Sequence, residues 1–285
     1  MALNYGGSYN LMRFPGFRLK AVTLSYDDGL KSDARLVDIM TKYGLKGTFN
    51  LNSSYILNGV DKDRLLSKKD ALILFSSSGM EVAAHGGCHL SVDKVDAATA
   101  IKDLIKDRVA LEDTFQTIVK GLAYPLATLS EESTKIAKSC GFSYVRTINE
   151  TQNFDLSNDC FKFNPTTSNT NPRFLELTEE FLSIGESKYF WFNEPRLFYL
   201  WGHTFEFSSD KGWSKMEDFA KLVGSVTDVW HATNIEIFDY VRAFKRLQFS
   251  AEGTFVYNPS AIDVYIKYFN NKNFVVPAGK TVKLL

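Results

Sequence analysis

Cysteine is scarce in this 285-residue chain: Cys88, Cys140 and Cys160 form an odd set of three, too sparse for a disulfide framework and suited to a reducing compartment. Net charge is absent as well, since 33 basic and 33 acidic residues cancel and no basic run breaks the balance. No field therefore draws the chain to nucleic acid or to an anionic membrane, and a neutral partner such as a sugar suits its surface. No apolar stretch approaches the roughly 20 residues that a membrane-crossing helix needs, which excludes membrane insertion of that kind. The opening residues Met1-Ala2-Leu3-Asn4-Tyr5-Gly6-Gly7-Ser8 lack the charged-then-apolar layout of a secretory leader, and the expected location is cytoplasmic. Histidine occurs only four times, so its positions carry information. What is plentiful is apolar content, 45% of residues, enough for one barrel-sized core with a small appendage.

Two adjacent carboxylates, Asp27 and Asp28, close the apolar run Ala21-Val22-Thr23-Leu24 in Ser25-Tyr26-Asp27-Asp28-Gly29. Successive side chains on a strand point opposite ways, so a pair at its end can divide labour, one ligating a metal and the other reaching the same cavity as a base. Asp-Asp-Gly after a strand also reads as a plain turn. Met80-Glu81-Val82-Ala83-Ala84 reads as a short buried strand running into His85-Gly86-Gly87-Cys88-His89. Two imidazoles four residues apart can close on one ion, a spacing common among zinc ligands. Asp28, His85 and His89 make a His₂-carboxylate set that leaves positions for water, as a catalytic site requires. Cys88, between the histidines, is an additional or competing ligand in an alternative reading.

His203 ends the apolar run Leu197-Phe198-Tyr199-Leu200-Trp201-Gly202, so it emerges at a strand's carboxyl end just as Asp27 and His85 do. In parallel α/β barrels the chemistry collects at those ends. Gly121-Leu122-Ala123-Tyr124-Pro125-Leu126 is another strand leading into a Pro turn that could expose a backbone N–H to a substrate oxygen. Strands and helices alternate along the chain. Helical patterns run through Leu36, Ile39 and Met40, from Lys68 to Phe75, from about Val92 to Phe115, from Glu131 to Cys140, from Met216 to Val223 and from Ile235 to Leu247. This alternation implies a parallel sheet closed into a barrel. The stretch from Asn149 to Asn171, rich in Asn, Thr and Ser, reads as a long irregular segment, either a functional loop near the site mouth or a disordered one. Residues 1–249 are read as the barrel domain and 250–285 as a small antiparallel β appendage acting as a structural cap. His231, beside Trp230, reads as an ordinary barrel residue.

Taken in order, the Asp-Asp-Gly strand end, the His-x-x-x-His loop, the Pro turn and the apolar strand ending in His203 resemble the polysaccharide deacetylase superfamily, known also as the NodB-homology or carbohydrate esterase family 4 group. The resemblance spans residues 20–205. Leu200 to Phe207 and Asn258-Pro259-Ser260-Ala261 further resemble a branch with a short C-terminal β extension. The resemblance implies a distorted (β/α)7 barrel. It implies that Asp28, His85 and His89 bind one divalent metal, Zn²⁺ before Co²⁺ or Mn²⁺, with Asp27 as general base and His203 as general acid. Tyr124, Pro125 and Leu126 form its substrate-binding Pro turn, with the Leu126 N–H as oxyanion donor. The implied reaction removes N-acetyl or O-acetyl groups from an acetylated carbohydrate.

The pattern departs from that family at three places. Gly86 stands where Ser or Thr usually follows the first histidine. Ala123 stands where an Arg usually holds the base, and Arg146, at the end of the next strand, is the candidate replacement, although an Arg paired with a surface carboxylate is an equal reading. The usual Asp/Trp motif before His203 is missing; Trp201 is expected to line the acetyl pocket or to be core, and Glu206 to bond the His203 imidazole, bond a sugar hydroxyl, or stand in solvent. Two rival functions stay open: the same site could hydrolyse another C–N bond such as a cyclic amide, or the chain could bind sugar without catalysis.

Overall fold

The structure, a computed structural model, describes residues 9–127, 129–189, 193–207, 209–269 and 271–285. After a two-residue strand β1 (Met12–Arg13) come eight parallel strands: β2 (Lys20–Asp27), β3 (Gly47–Leu51), β4 (Glu81–Ala84), β5 (Gly121–Ala123), β6 (Tyr144–Arg146), β7 (Thr167–Ser168), β8 (Arg196–Gly202) and β9 (Val229–His231). Seven of them lie in the order β6-β5-β4-β3-β2-β8-β7, and β9 pairs with the first residues of β2. The result is a parallel sheet curled into a half-barrel, the distorted barrel the motif order implies. All eight residues of β2 are buried, which is why its sequence reads as a nearly continuous apolar run.

Helices α1 (Asp33–Lys42), α2 (Ser53–Asn58), α3 (Lys68–Ser76), α4 (Ala97–Phe115), α5 (Glu131–Ser139), α6 (Phe174–Ser183), α7 (Asp210–Gly224) and α8 (Asn234–Lys245) connect the strands. Helix α1 buries Leu36, Val37, Ile39 and Met40 and stops at Gly44, whose φ of 69° suits a residue without Cβ. Helix α4 starts later than its apolar spacing suggests because Asp96 caps it, accepting from the Thr99 N–H at 3.0 Å, and a separate 3₁₀ turn holds Val92–Lys94. Helix α2, at six residues, is too short to show a period, whereas α6 buries Phe174, Leu177, Thr178 and Phe181 at helical spacing and adds a helix to those the sequence analysis names.

The irregular stretch from Asn149 to Asn171 has a structural role that its composition hides. It crosses the gap between β6 and β8: the Val145 N–H donates to Cys160 O (2.8 Å), the Phe163 N–H to Val145 O (3.0 Å), and the Thr166 N–H to Tyr199 O (2.8 Å). Residues 250–285 form strands β11 (Phe255–Tyr257), β12 (Val264–Lys267), β13 (Asn273–Val276) and β14 (Thr281–Lys283), paired with β10 (Gln248–Phe249) and β1 in two antiparallel sheets. These strands share a core with Tyr9, Met12, Phe14 and the α8 side chains Tyr240 and Phe244. Within them Asn258 is fully buried and ties Ile262 O and Val276 O, both at 2.8 Å, so the Asn-Pro-Ser-Ala segment is a turn staple.

The barrel interior is polar at its lower end. The Glu81 carboxylate accepts from Thr48 Oγ1 (2.7 Å), Tyr144 OH (2.8 Å) and the Ile235 N–H (2.9 Å), and burial pushes its pKa up to about 7. Burial likewise pushes Asp33 up to about 8. A carboxyl raised on folding contributes stability that is fully present below its unfolded pKa of about 4 and is lost as pH rises through the folded value. The thermal midpoint should therefore fall between about pH 5 and about pH 9; a profile that stays flat or rises across that window would contradict this assignment.

Candidate active site

Strand β2 delivers Asp27 and Asp28 to the upper end of the barrel, where the chain turns through Asp28 (φ 79°) and Gly29 (φ 70°). The two side chains diverge as strand geometry requires: Asp27 is 2% exposed, whereas Asp28 faces the mouth. Strand β4 ends one residue before His85. Asp28 Oδ1 lies 3.7 Å from His85 Nε2 and 3.8 Å from His89 Nε2, and one ligand atom of each residue falls within 4.8 Å of the others. Asp28 and His89 (φ 52°) both adopt left-handed backbone that non-glycine residues seldom take, a sign of a site held in place by its surroundings.

His85 Nδ1 sits 2.9 Å from Ala123 O, so that nitrogen carries the proton and Nε2 turns its lone pair toward Asp28 and His89. Burial, opposed by Asp27 and Asp28, lowers the pKa of His85 and keeps it neutral. A neutral, oriented imidazole, a second imidazole and a carboxylate converging on one point fit a divalent cation, with positions left for water and substrate. His203, following β8, brings Nε2 to 3.9 Å from both Asp27 Oδ2 and Asp28 Oδ2.

The polysaccharide deacetylase family model matches residues 16–145, which include Asp27, Asp28, His85, His89 and the Pro turn. Over that stretch, a little under half of its length, the chain matches the polysaccharide deacetylase family. Arg146 and His203 lie beyond the matched residues. No curated protein sequence matches the chain. Among solved structures, one from Mycobacterium smegmatis described as a polysaccharide deacetylase shares 18% identity at a TM-score of 0.60, covering 82% of this chain and 94% of its own. A family 4 carbohydrate esterase from Streptomyces lividans, in complex with acetate, shares 13% at 0.51, covering 75% and 93%. A pseudoenzyme of the same esterase family from Bacillus anthracis shares 14% at 0.52, covering 77% and 65%. At these identities the likeness is one of fold.

Against the family pattern, the replacements are visible. The Arg146 guanidinium, fully buried, binds both oxygens of Asp27 through Nη2, and Asn50 Nδ2 donates to Asp27 Oδ1 at 2.8 Å. Burial alone would push the Asp27 carboxyl up; Arg146 first, then His85 and His203, outweigh it and hold the carboxyl at about 2. The Arg146 guanidinium also lies 5.0 Å over the ring of half-buried Trp201. For His203, burial pushes the imidazole down, but Glu206 foremost, with Asp27 and Asp28, raises it above its ordinary value. Glu206 Oε2 accepts the His203 backbone N–H at 2.9 Å and Oε1 lies 3.4 Å from Nδ1, so of its readings the imidazole partner is the one observed. Asn169 Nδ2 donates to the same carboxylate at 2.9 Å, and a Cβ at Gly202 would stand 1.5 Å from Asn169 Oδ1, which is why no side chain is tolerated there.

The histidine loop needs no hydroxyl at Gly86, whose φ of 75° favours glycine and where a Cβ would come 3.1 Å from Pro125 Cγ. Instead Asn52 Nδ2 donates to His85 O (2.8 Å) and Gly86 O (2.7 Å), Asp107 accepts from the Ser53 and His85 N–H groups, and Asp103 accepts from the Cys88 N–H. The Cys88 thiol points to Ser54 Oγ (3.7 Å), outside the cluster, which corrects its reading as a ligand. Tyr124 is also corrected: it is 2% exposed and part of the core, so its ring is not offered to a substrate, while Leu126 (φ 54°) is exposed. His231 pairs in register with Val22, five residues before Asp27 on β2, and burial pushes it down to about 4, so it stays a neutral barrel residue.

Four supporting residues escape a reading by motif: Asn50, Asn52, Asp33 and Asp107. Asn50 and Asn52 lie at the carboxyl end of β3 and just past it, the criterion that finds Asp27, and could have been found by it. Asp33 is fully buried; it accepts from Thr204 Oγ1 (2.6 Å) and the Leu30 N–H (2.9 Å), and Ser32 Oγ lies 2.7 Å from the same Thr204 hydroxyl. This strap joins the loop after Asp28 to the residue after His203.

Proposed function

We propose that the chain is a metal-dependent deacetylase of an acetylated carbohydrate. The observation that carries this reading is the placement of Asp27 and His203, each within 4 Å of the Asp28–His85–His89 cluster and each held in the ionic state its role needs. Asp28, His85 and His89 would hold the ion, Zn²⁺ first, with Co²⁺ or Mn²⁺ as alternatives. When bound, such an ion would polarise the acyl carbonyl and lower the pKa of its water toward about 7.

The rest falls to the chain. Asp27, ionised and with Oδ2 facing the cluster, accepts the proton of the attacking water. Arg146 and Asn50 keep that carboxylate fixed and charged. His203, favoured in its protonated form, gives the Nε2 proton to the departing nitrogen, without which the amide would have to expel a poor leaving group. Leu126, at the Pro turn, would offer its backbone N–H to the developing oxyanion. A silent sugar-binding role, suggested by the existence of a pseudoenzyme with this fold, is less economical because all five polar residues are present and converge.

The test is acetate release from N-acetylated and O-acetylated sugars by metal-stripped protein and after adding back Zn²⁺, Co²⁺ or Mn²⁺. Release is expected only with metal, at one ion per chain. One ion bound with no acetate from any sugar would end the carbohydrate reading and turn the search to cyclic amides.

A further inference from the structure

Two large apolar side chains beside this otherwise polar site are exposed, Leu126 and Phe205. Phe205 is 48% exposed, its ring centroid 4.9 Å from that of His203 with the planes 33° apart. Its outward position is imposed by its neighbours. Thr204 is pinned by Asp33 and Ser32, and Glu206 by the His203 N–H and Asn169, so the 3₁₀ turn Thr204–Glu206 can present only its middle residue outward. An aromatic ring is thus held rigid and half in water, at a cost in exposed apolar surface that folding alone does not require. Beside it, the Arg64 guanidinium carbon lies 5.9 Å over the ring, and Arg64 makes no salt bridge among the described residues.

The chemistry fixes which part of a substrate meets this ring. If His203 gives its proton to the departing nitrogen, that nitrogen lies at the imidazole, and the sugar carbon bearing it is one bond further on. The sugar must then lie on the His203 side of the cluster, with the acetyl methyl on the far side. The C–H face of a pyranose packs well on an aromatic ring, and a guanidinium supplies several donors to its hydroxyls.

We infer that Phe205 is the platform for the sugar ring that carries the scissile acetyl group, with Arg64 donating to that ring's hydroxyls, so that the substrate is a pyranoside and not a ring-free acetamide. This rests on the deacetylase reading for the role of His203. The test is calorimetric binding of the β-1,4-linked tetramer of N-acetylglucosamine to wild type, Phe205→Ala, Phe205→Trp and Arg64→Ala, with KM and kcat on the same sugar and on vinyl acetate, which has no ring. Phe205→Ala should weaken tetramer binding and raise its KM about tenfold, Phe205→Trp should restore both, and Arg64→Ala should lose severalfold. The preference for tetramer over vinyl acetate should shrink in Phe205→Ala. Tetramer affinity within twofold of wild type in Phe205→Ala, or no tetramer binding by wild type, would overturn the inference while leaving acetate release from other substrates free to uphold the deacetylase reading. Tetramer binding that depends on Phe205, without acetate release by metal-loaded wild type, would uphold the platform and sink the deacetylase.

Discussion

Asp27→Asn is expected to lower kcat/KM by about three orders of magnitude, the scale on which a positioned general base acts. Asn is close in shape and keeps the hydrogen bond to Asn50 within reach, so the loss would report the missing proton acceptor. The change also leaves Arg146 charged, fully buried and without the carboxylate it pairs with, and among the described residues its Nε and Nη1 already find no acceptor. Removing one member of a buried ion pair costs about 3–5 kcal/mol, so a urea titration should show a large loss of stability together with the loss of activity. Metal stoichiometry should stay at one ion per chain, because Asp28, His85 and His89 are untouched. A kcat/KM within tenfold of wild type would remove Asp27 from the mechanism.

Arg146→Ala tests the partner. With the guanidinium gone, burial dominates and the Asp27 pKa should climb from about 2 to above its ordinary value. The sign of the pH dependence then reverses. In wild type the lowered carboxyl contributes stability above its unfolded pKa of about 4 that is lost as pH falls toward 2; in Arg146→Ala the same group would favour the folded state in acid and disfavour it as pH rises. The acidic limb of the kcat/KM–pH profile should move to higher pH, and stability near neutrality should drop by about 3–5 kcal/mol. Arg146→Lys, which keeps the charge but not the fork, should recover part of the pH profile if Arg146 acts through Asp27. An Arg146→Ala protein with wild-type activity and an unmoved acidic limb would show that the pair serves folding alone.

The strand ends were legible because a parallel strand buried on both faces leaves an apolar run in the sequence, and the polar residue that stops the run is conspicuous. Asp27, His85 and His203 stand out in this way, and Arg146 was found as the charge closing the next strand. Tyr124 was misjudged for a related reason: a residue at a strand's end points either into the mouth or into the core, and a one-dimensional pattern does not say which. The Cys88 thiol failed as a ligand because two left-handed residues, Gly86 and His89, turn the loop so that the imidazoles face Asp28 and the thiol faces Ser54.

By itself the sequence determined the alternation of strands and helices and the identities of the converging groups. Each of these is a local property of the chain. Only the tertiary structure decided that Arg146 meets Asp27 across 119 residues, that Asn52, Asp103 and Asp107 hold the histidine loop, that Glu206 turns back on His203, and that Asp33 straps the loop after Asp28 to the turn after His203. Such contacts depend on barrel curvature and on which buried donor finds which acceptor, and a buried polar group takes whatever partner the packing brings near it. That choice is made in three dimensions.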